Sequence, residues 1–512
     1  MNRRRFLIQA SAAASLNSFA SVLHADDVAP VQLTISDDSS APEVPLTYTG
    51  LSYELAQLTD PHFFSAENRD LVSYFRLLSP NGVLRIGGNT SEFCWFKANA
   101  STTEPRLHIP SGNLDANWMP HRLFAITPEA IDALAGFLQA TGWRLIYGLN
   151  FGNSTPERAA EEAANVMQKA GDHLEFFQIG NEPDFYHDAN NGTRPAAWGF
   201  SDYITEWLQT ANAITVRVPG ARFGGPDVGA SSDWVTRFAE GASASGPQLF
   251  ALTGHYYAEG PPNDPRVTTE RLLAGNVGIP AQMKAIEDAA RPKGLVYRMT
   301  EGNSCYRGGK PGMSNAFASA LWAGDYMLQL ASLGCAGVNL HGGSSAFLSA
   351  GLGDHTPGLE AAKTPQTMRS GFYTPIATEP GRAIQAMPIF YGMLLANQFA
   401  GGKFLQVTAN LRDVNATAYA VRFRQSMKIA IFNKDSHKSV EVSIRAPGII
   451  KSATAWRLDA PALDATDGVT LARAAILAHG EWHPGAPEPV AITDGAPHIQ
   501  VRAGSAVLVF LA

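Results

Sequence analysis

Two glutamates stand out because each ends a short apolar run that is typical of a buried strand. Glu182 lies in Gln-Ile-Gly-Asn-Glu-Pro, and Glu301 lies in Arg-Met-Thr-Glu-Gly-Asn. Two carboxyl groups held close together can divide their work, because one can stay protonated and donate to a leaving oxygen while the other stays ionised and attacks carbon. This is the chemistry of glycosidic-bond cleavage, and it requires both strands to end at the same place.

Strand-like runs recur along the chain with helix-sized gaps between them, a pattern that is typical of βα units. Eight such runs are predicted: Tyr48 to Glu54, Gly82 to Gly88, Arg144 to Asn150, Leu174 to Glu182, Arg222 to Asp227, Ala251 to Tyr257, Leu295 to Glu301 and Gly337 to Gly343. In a (β/α)8 barrel the catalytic residues lie at the C-terminal ends of the strands. We therefore expect such a barrel, with Glu182 ending the fourth strand and Glu301 ending the seventh.

The chain has 512 residues, which is more than one barrel requires. From about residue 404 onward the sequence changes to seven short alternating runs with no helical pattern between them. We expect a catalytic barrel over residues 46–400 and a C-terminal antiparallel β-sandwich over residues 401–512. The alternating run from Val31 to Ile35 has no helix that would pair it into the barrel, so residues 26–45 are expected to add a strand to the sandwich.

The amino terminus has the layout of a bacterial twin-arginine export signal. Arg3, Arg4 and Arg5 precede a weakly apolar segment, rich in Ala and Ser, that extends to Leu23. A disordered basic start is the alternative. Cleavage after Ala25 would leave a periplasmic or secreted bacterial protein. No apolar run long enough to span a bilayer follows residue 25, so no membrane span is expected.

Composition excludes several classes of function. The net charge is −7 and is spread without long acidic or basic runs, so no nucleic-acid partner is expected. The three cysteines, Cys94, Cys305 and Cys335, are too few and odd in number for a disulfide framework. No Cys/His spacing resembles a zinc site. We expect neither a metal nor a cofactor, and the sequence does not indicate an oligomeric state.

The residues beside Glu182 suit a general acid. Pro183 stops the strand from continuing, and Asn181 offers an amide that can hold the 2-hydroxyl of a sugar. A surface glutamate at the start of a loop is the alternative interpretation of Glu182.

Side chains on other strands can keep Glu301 ionised. Arg85 can point into the top of the barrel and pair with a carboxylate. His255 and Tyr257 share one face of the sixth strand, and the tyrosine hydroxyl can hydrogen-bond Glu301. The alternatives are that Arg85 makes a structural ion pair and that Tyr257 closes the barrel end. Tyr256 would point inward if the strand register were shifted by one residue.

Three segments, Leu84 to Asn89, Gly180 to Tyr186 and Thr300 to Gly309, together resemble glycoside hydrolase family 79, which includes β-glucuronidases and heparanases. The resemblance extends from the first barrel strand through the C-terminal sandwich. It implies a retaining mechanism in which Glu182 is the general acid/base and Glu301 the nucleophile.

The same resemblance implies that a uronate carboxylate binds just after the nucleophile, at Tyr306 and the backbone amides of Gly308 and Gly309. These groups are suitable donors for an anion, and Arg307 and Lys310 add positive charge nearby. A glycine-rich turn at a loop tip, with both basic side chains in solvent, is the alternative.

The predicted function is an exo-β-glucuronidase acting on a glucuronide or a glucuronic-acid-containing glycan. The Gly/Pro-rich stretch from Ser349 to Pro380 can wall off one side of the site, which favours a pocket and exo action. Two alternatives remain: an endo-acting, heparanase-like enzyme, against which the acidic balance argues, and a carbohydrate-binding barrel without turnover.

Overall fold

The computed structural model describes the chain from residue 30 onward with short gaps. The predicted signal peptide and part of the 349–380 stretch lie outside the described residues. The described ranges are 30–106, 119–188, 193–243, 246–354, 371–379, 381–411, 414–424 and 426–512.

The described residues contain strands and α-helices that alternate through the first three quarters of the chain. The strands are β1 (Val31–Ser36), β2 (Thr49–Glu54), β3 (Val83–Gly87), β4 (Cys94–Phe96), β5 (Phe124–Ile126), β6 (Arg144–Leu149), β7 (Leu174–Ile179), β8 (Arg222–Val228), β9 (Gln248–Glu259), β10 (Val296–Cys305), β11 (Gly337–Gly342), β12 (Ile376–Ala377), β13 (Gln385–Ala386), β14 (Lys403–Ala409), β15 (Ala416–Phe423), β16 (Ser426–Asn433), β17 (Val440–Arg445), β18 (Ala453–Asp459), β19 (Thr470–Leu471), β20 (Glu488–Pro489), β21 (Ala491–Thr493), β22 (Ala496–Val501) and β23 (Ser505–Leu511). The helices are α1 (Arg69–Leu78), α2 (Pro128–Thr141), α3 (Pro156–Ala170), α4 (Phe200–Arg217), α5 (Ser232–Ser243), α6 (Thr269–Ala274), α7 (Ile279–Ala290), α8 (Phe317–Ser332), α9 (Ser345–Gly351) and α10 (Pro388–Asn397).

Eight parallel strands close into a barrel in the order β2, β3, β6, β7, β8, β9, β10 and β11, with β11 pairing back to β2. The predicted barrel is therefore confirmed, and each of the eight predicted runs overlaps one of its strands. Three strands run further than predicted: β8 extends one residue to Val228, and β9 and β10 stay paired as far as Glu259 and Cys305. Glu301 consequently lies within β10 and not at its end.

A second sheet has eleven strands, β1 and β14 to β23, whereas β4 with β5 and β12 with β13 form two separate two-stranded sheets. Strands from different parts of the eleven-stranded sheet share one apolar core. Leu33 of β1, Ile429 of β16, Val442 of β17 and Val509 of β23 belong to the same buried cluster. The strands from β14 onward pair antiparallel with one another, as predicted, and β1 adds the one parallel pair among the described strands of this sheet, with β17. This pairing is possible because β1 comes from the far end of the chain and no tight turn connects it to β17.

Two apolar helices, α8 and α10, lie between the barrel and this sheet. Both are buried along almost their whole length, which is typical of a helix covered on all sides. Asp325 of α8 accepts hydrogen bonds from Thr417 and Tyr419 of β15 and from Lys434, which directly follows β16. Among the described residues, no helix is long and apolar enough to cross a membrane.

Candidate active site

A cavity of about 580 Å³ opens at the C-terminal end of the barrel strands. Its walls come from the ends of seven of the eight barrel strands or from the loops that follow them. The lining residues are Glu54, Asn89, Glu182, Phe185, Asp188, Gly229, Ala230, Tyr257, Glu301, Tyr306, Arg307, His341, Leu348, Leu352 and Tyr373. Concave sites at this end of a barrel are the usual location of catalysis in the fold.

The two glutamates singled out in the sequence meet in this cavity. A carboxylate oxygen of Glu182 lies within 4.8 Å of one of Glu301. Glu182 stands just beyond β7 in the left-handed region, at φ 50°, and its backbone N–H donates to the carbonyl of Asp227 at 2.9 Å. This backbone conformation is uncommon for a residue other than glycine, and such conformations often occur at functional sites.

Glu301 is held by donors on both carboxylate oxygens. Its Oε2 accepts from Arg85 at 2.5 Å, and its Oε1 accepts from the Tyr257 hydroxyl at 2.8 Å. Burial opposes ionisation, but the electrostatic effects of His341, His255 and Arg85 and the Tyr257 hydrogen bond outweigh it and lower the pKa of Glu301 to about 2. Glu301 is therefore a carboxylate at neutral pH.

The pKa of Glu182 is shifted in the opposite direction to that of Glu301. Burial raises the pKa of its carboxyl group above the usual value, against a lowering by His255, and the negative charges of Glu301 and Asp184 raise it further. His255 Nδ1 lies 3.0 Å from Glu182 Oε1. The two carboxyl groups thus have pKa values displaced in opposite directions, as a proton donor and a nucleophile require.

His255 links Glu182 to a buried aspartate. Its Nε2 lies 3.1 Å from Asp227 Oδ1. Burial disfavours a charge on the imidazole, but the negative charges of Asp227 and Glu301 and the hydrogen bonds that the ring donates to Asp227 and Glu182 outweigh this and raise the pKa of His255 to about 10. His255 is therefore a cation that pairs with carboxylates on both sides.

Asp227 was predicted only as a strand end, yet it is central to the network. It accepts hydrogen bonds from Arg85 at 2.6 Å, from Thr300 at 2.5 Å and from Gln178. The pairing register shifts beside both Asp227 and Thr300, and such irregularities redirect side chains near active sites. The rule that strand-end acids are catalytic candidates would have identified Asp227 had it been applied to every strand.

Asn181 and Arg85 lie beneath the cavity. Arg85 Nη2 donates to Asn181 Oδ1 at 2.8 Å, and the amide of Asn181 donates to Asn89, a lining residue, at 3.1 Å. The backbone N–H of Asn181 is held by the buried carboxylate of Glu92 at 2.6 Å. Glu92 was missed by sequence reasoning because it lies in the loop after β3 and not at a strand end.

The predicted uronate loop is only partly directed into the cavity. Tyr306 and Arg307 line it, whereas Gly308 and Gly309 are buried behind them. Arg307, Gly308 and Gly309 have consecutive positive φ angles of 55°, 85° and 87°. The proposed positive charge at Lys310 is not in the cavity, because its ammonium group donates to the carbonyls of residues 264 and 267.

Tyr306 is held in place by a glycine. A Cβ atom at Gly260 would lie 2.2 Å from the Tyr306 ring, so the ring packs directly on the backbone at this position. The backbone N–H of Tyr306 also donates to the carbonyl of Glu259 at 3.1 Å. Both contacts exist because β9 continues alongside β10 beyond the barrel rim.

Two further lining residues, Glu54 and His341, were not predicted as site residues. Glu54 ends β2 and accepts hydrogen bonds from the backbone and hydroxyl of Thr90 at 2.8 and 2.7 Å. His341 on β11 lies between two acids, 3.6 Å from Glu54 and 3.7 Å from Glu301. Together they place hydrogen-bonding groups on the side of the cavity next to Glu301.

Among the described residues, one group of acidic and histidine side chains is close enough to ligate a metal: Glu182, His255 and Glu301. The donor chemistry does not fit, because a metal requires neutral imidazole and His255 is held as a cation by Asp227 and Glu301. The guanidinium group of Arg85, 2.5 Å from Glu301, already supplies the compensating charge.

Comparison with known sequences finds fungal relatives. The chain is 26% identical over 351 residues to a β-glucuronidase of Aspergillus niger, covering 62% of this chain and 61% of that protein. It is 27% identical over 353 residues to a β-glucuronidase of Neurospora crassa, covering 61% and 60%. The matched region thus spans about three fifths of the length of these curated relatives. No model of a protein family matches the chain.

Solved structures share the fold over nearly the whole chain. A 4-O-α-L-rhamnosyl-β-D-glucuronidase from Fusarium oxysporum 12S superimposes with a TM-score of 0.69 at 18% identity, covering 93% of this chain and 99% of that one. A family 51 arabinofuranosidase from Xanthomonas axonopodis pv. citri gives 0.63 at 15% identity, covering 94% and 100%. At these identities the likeness concerns the fold alone.

Proposed function

We propose that this protein is a glycoside hydrolase that removes β-linked glucuronic acid with retention of configuration. One observation carries the proposal: two carboxyl groups have oxygens within 4.8 Å of each other, and their pKa values are displaced in opposite directions. Retaining enzymes hold their carboxyl groups about 5–5.5 Å apart, whereas inverting enzymes need about 6.5–9.5 Å to admit a water molecule. The similarity to two fungal β-glucuronidases supports the choice of sugar.

In the proposed mechanism Glu182 donates its proton to the glycosidic oxygen while Glu301 attacks the anomeric carbon. The bond to the leaving group breaks and an ester bond to Glu301 forms. Glu182, now ionised, then takes a proton from a water molecule that attacks the same carbon, which releases the sugar and restores both groups. Tyr257 and Arg85 stabilise Glu301 as the leaving carboxylate in this second step.

Asn181 lies between Arg85 and the cavity wall, at hydrogen-bonding distance from both Arg85 and Asn89. We assign its amide to the 2-hydroxyl of the sugar. The uronate carboxylate is assigned to Tyr306 and the backbone amides of Gly308 and Gly309, with Arg307 in place of Lys310 as the adjacent positive charge.

Exo action is proposed because residues from seven of the eight barrel strands, or from the loops that follow them, surround the cavity. An endo-acting enzyme on sulfated polymers would need a basic cleft, and Arg307 is the only lysine or arginine among the described lining residues. Part of the 349–380 stretch lies outside the described residues, so the wall proposed there rests on the lining residues Leu352 and Tyr373. We also propose export through the twin-arginine signal at residues 1–25 of a bacterial protein.

The experiment that tests this function is covalent trapping. A 2-fluoro-β-glucuronyl fluoride should label the protein at Glu301, detected by mass spectrometry of peptides, and Glu301→Gln should lose nearly all activity on aryl β-glucuronide. Glu379→Gln, outside the cavity lining, is the matched control and should be labelled like the wild type. Labelling at another residue, or a first product of α configuration by NMR, would refute the assignment.

A further inference from the structure

Phe185 is an aromatic residue at the cavity that the proposed mechanism does not use. It is 39% exposed, whereas most aromatic side chains in the described residues are buried. Its ring is also part of the cavity lining. An aromatic ring exposed to water at a polar cavity is unfavourable because its apolar surface is hydrated, and a ligand that covers the ring removes this surface from water.

The position of Phe185 relative to the proton donor suggests which ligand this is. A Cβ atom placed on Gly229 would lie 2.4 Å from the Phe185 ring and 2.8 Å from Oε1 of Glu182. The ring and the carboxyl group therefore converge on the same small volume beside the backbone of Gly229. A general acid must reach the glycosidic oxygen, so whatever is bonded to the other side of that oxygen lies next to Glu182.

The wall that carries Phe185 is fixed in place. The buried carboxylate of Asp184, the preceding residue, accepts hydrogen bonds from three consecutive backbone N–H groups, those of Gly229, Ala230 and Ser231, at 2.8, 3.0 and 3.0 Å. This ties the turn after β7 to the loop after β8. The Phe185 ring is thus presented by a rigid surface and needs little ordering when a ligand binds.

We propose that Phe185, with Gly229 and Ala230 beside it, forms the site for the leaving group and stacks on the flat apolar face of its ring. This rests on the proposed function, because it assumes that Glu182 is the proton donor. Both an aryl ring and the apolar face of a pyranose have the required shape. Aromatic faces bind such surfaces through dispersion and apolar burial.

The test compares three β-glucuronides in the wild type and in Phe185→Ala: phenyl glucuronide, a disaccharide in which glucuronic acid is linked to a neutral pyranose, and glucuronyl fluoride, whose leaving group has no ring. Phe185→Ala should lower kcat/KM about tenfold for the substrates with a ring and change it less than about twofold for the fluoride. Phe185→Tyr should restore most of the loss. Ile449→Ala removes an exposed apolar side chain in the loop between β17 and β18, away from the barrel, and should behave like the wild type.

The outcomes distinguish failure of the leaving-group site from failure of the proposed function. A loss confined to the aryl substrate or to the disaccharide supports the proposal and identifies the class of leaving group. An equal loss on all three substrates, or no loss on either ring-bearing one, overturns the leaving-group site while the proposed function stands. Failure of the wild type to cleave any of the three overturns both.

Discussion

The guanidinium group of Arg85 lies 2.6 Å from the carboxylate of Asp227, and both side chains are only 1% exposed. The same guanidinium group also pairs with Glu301, and His255 contacts Asp227 from another strand. Two buried cations therefore balance two buried carboxylates, so that the charge of each depends on the others.

Replacing one member of this network should destabilise the protein. Asp227→Asn leaves Arg85 and His255 with one carboxylate fewer, and removing one partner of a buried ion pair typically costs about 3–5 kcal/mol. We expect a loss of this size in the free energy of unfolding, measured by urea denaturation, with a large fall in kcat. Asp233→Asn, in the exposed pair of Arg237 and Asp233, is the control and should leave both unchanged. An unchanged Asp227→Asn protein would contradict the coupled network.

The acid/base role proposed for Glu182 predicts a dependence on the leaving group. Glu182→Ala should reduce turnover of substrates with poor leaving groups far more than that of activated aryl glycosides, because only the former need a proton in the first step. Added azide should restore activity on the activated substrates by replacing the missing base in the second step. Steady-state kinetics with and without azide provide the measurement. Equal losses on both substrate types without rescue would exclude the role.

The choice of sugar should depend on Tyr306. A site built to hydrogen-bond a carboxylate leaves its donors unpaired when the substrate has a hydroxymethyl group there, and such penalties reach about 10⁴-fold. We expect cleavage of aryl β-glucuronide and scarcely any of the matching β-glucoside. Tyr306→Phe should narrow the ratio of the two kcat/KM values by weakening glucuronide turnover alone. A wild type that cleaves both sugars equally well would refute the uronate site.

Glu162 on α3 predicts a pH dependence of stability that is separate from catalysis. Burial raises the pKa of its carboxyl group from 4.5 to about 7, against a lowering by the hydrogen bond from Tyr147. When the pKa of a carboxyl group is higher in the folded than in the unfolded protein, the folded state is favoured while the group is protonated. The contribution of Glu162 to the free energy of unfolding is therefore fully present below its pKa in the unfolded chain, and it is lost as the pH rises through its pKa in the folded protein.

Glu162→Gln keeps an acceptor for Tyr147 and removes the titration. The variant should match the wild type at about pH 4 and be more stable by about 3 kcal/mol at about pH 8, measured by urea denaturation across pH. Glu161→Gln, the neighbour on the same helix, should retain the wild-type slope. The prediction would be contradicted if, between these two pH values, the stability of the wild type fell no more than that of Glu162→Gln.

The sequence by itself determined the barrel and the main features of the site at the C-terminal ends of its strands. Strand periodicity identified all eight barrel strands, and the rule that polar residues collect at strand ends selected Glu182 and Glu301. These are local properties, since alternation and the residue that ends a strand are encoded within a few positions. The contacts of Arg85 and Tyr257 with Glu301 likewise follow from which face of a strand each residue occupies.

Only the tertiary structure decided the rest. Asp227 became the centre of the network because β3, β8, β9 and β10 meet when the barrel closes, a relation that no single strand encodes. Lys310 turned to backbone carbonyls of the preceding loop instead of the cavity, and β1 found a parallel partner more than four hundred residues away. Such pairings depend on which segments lie close together in the folded chain and on which buried polar groups still need a hydrogen-bond partner. The residue pattern of a single segment contains neither kind of information.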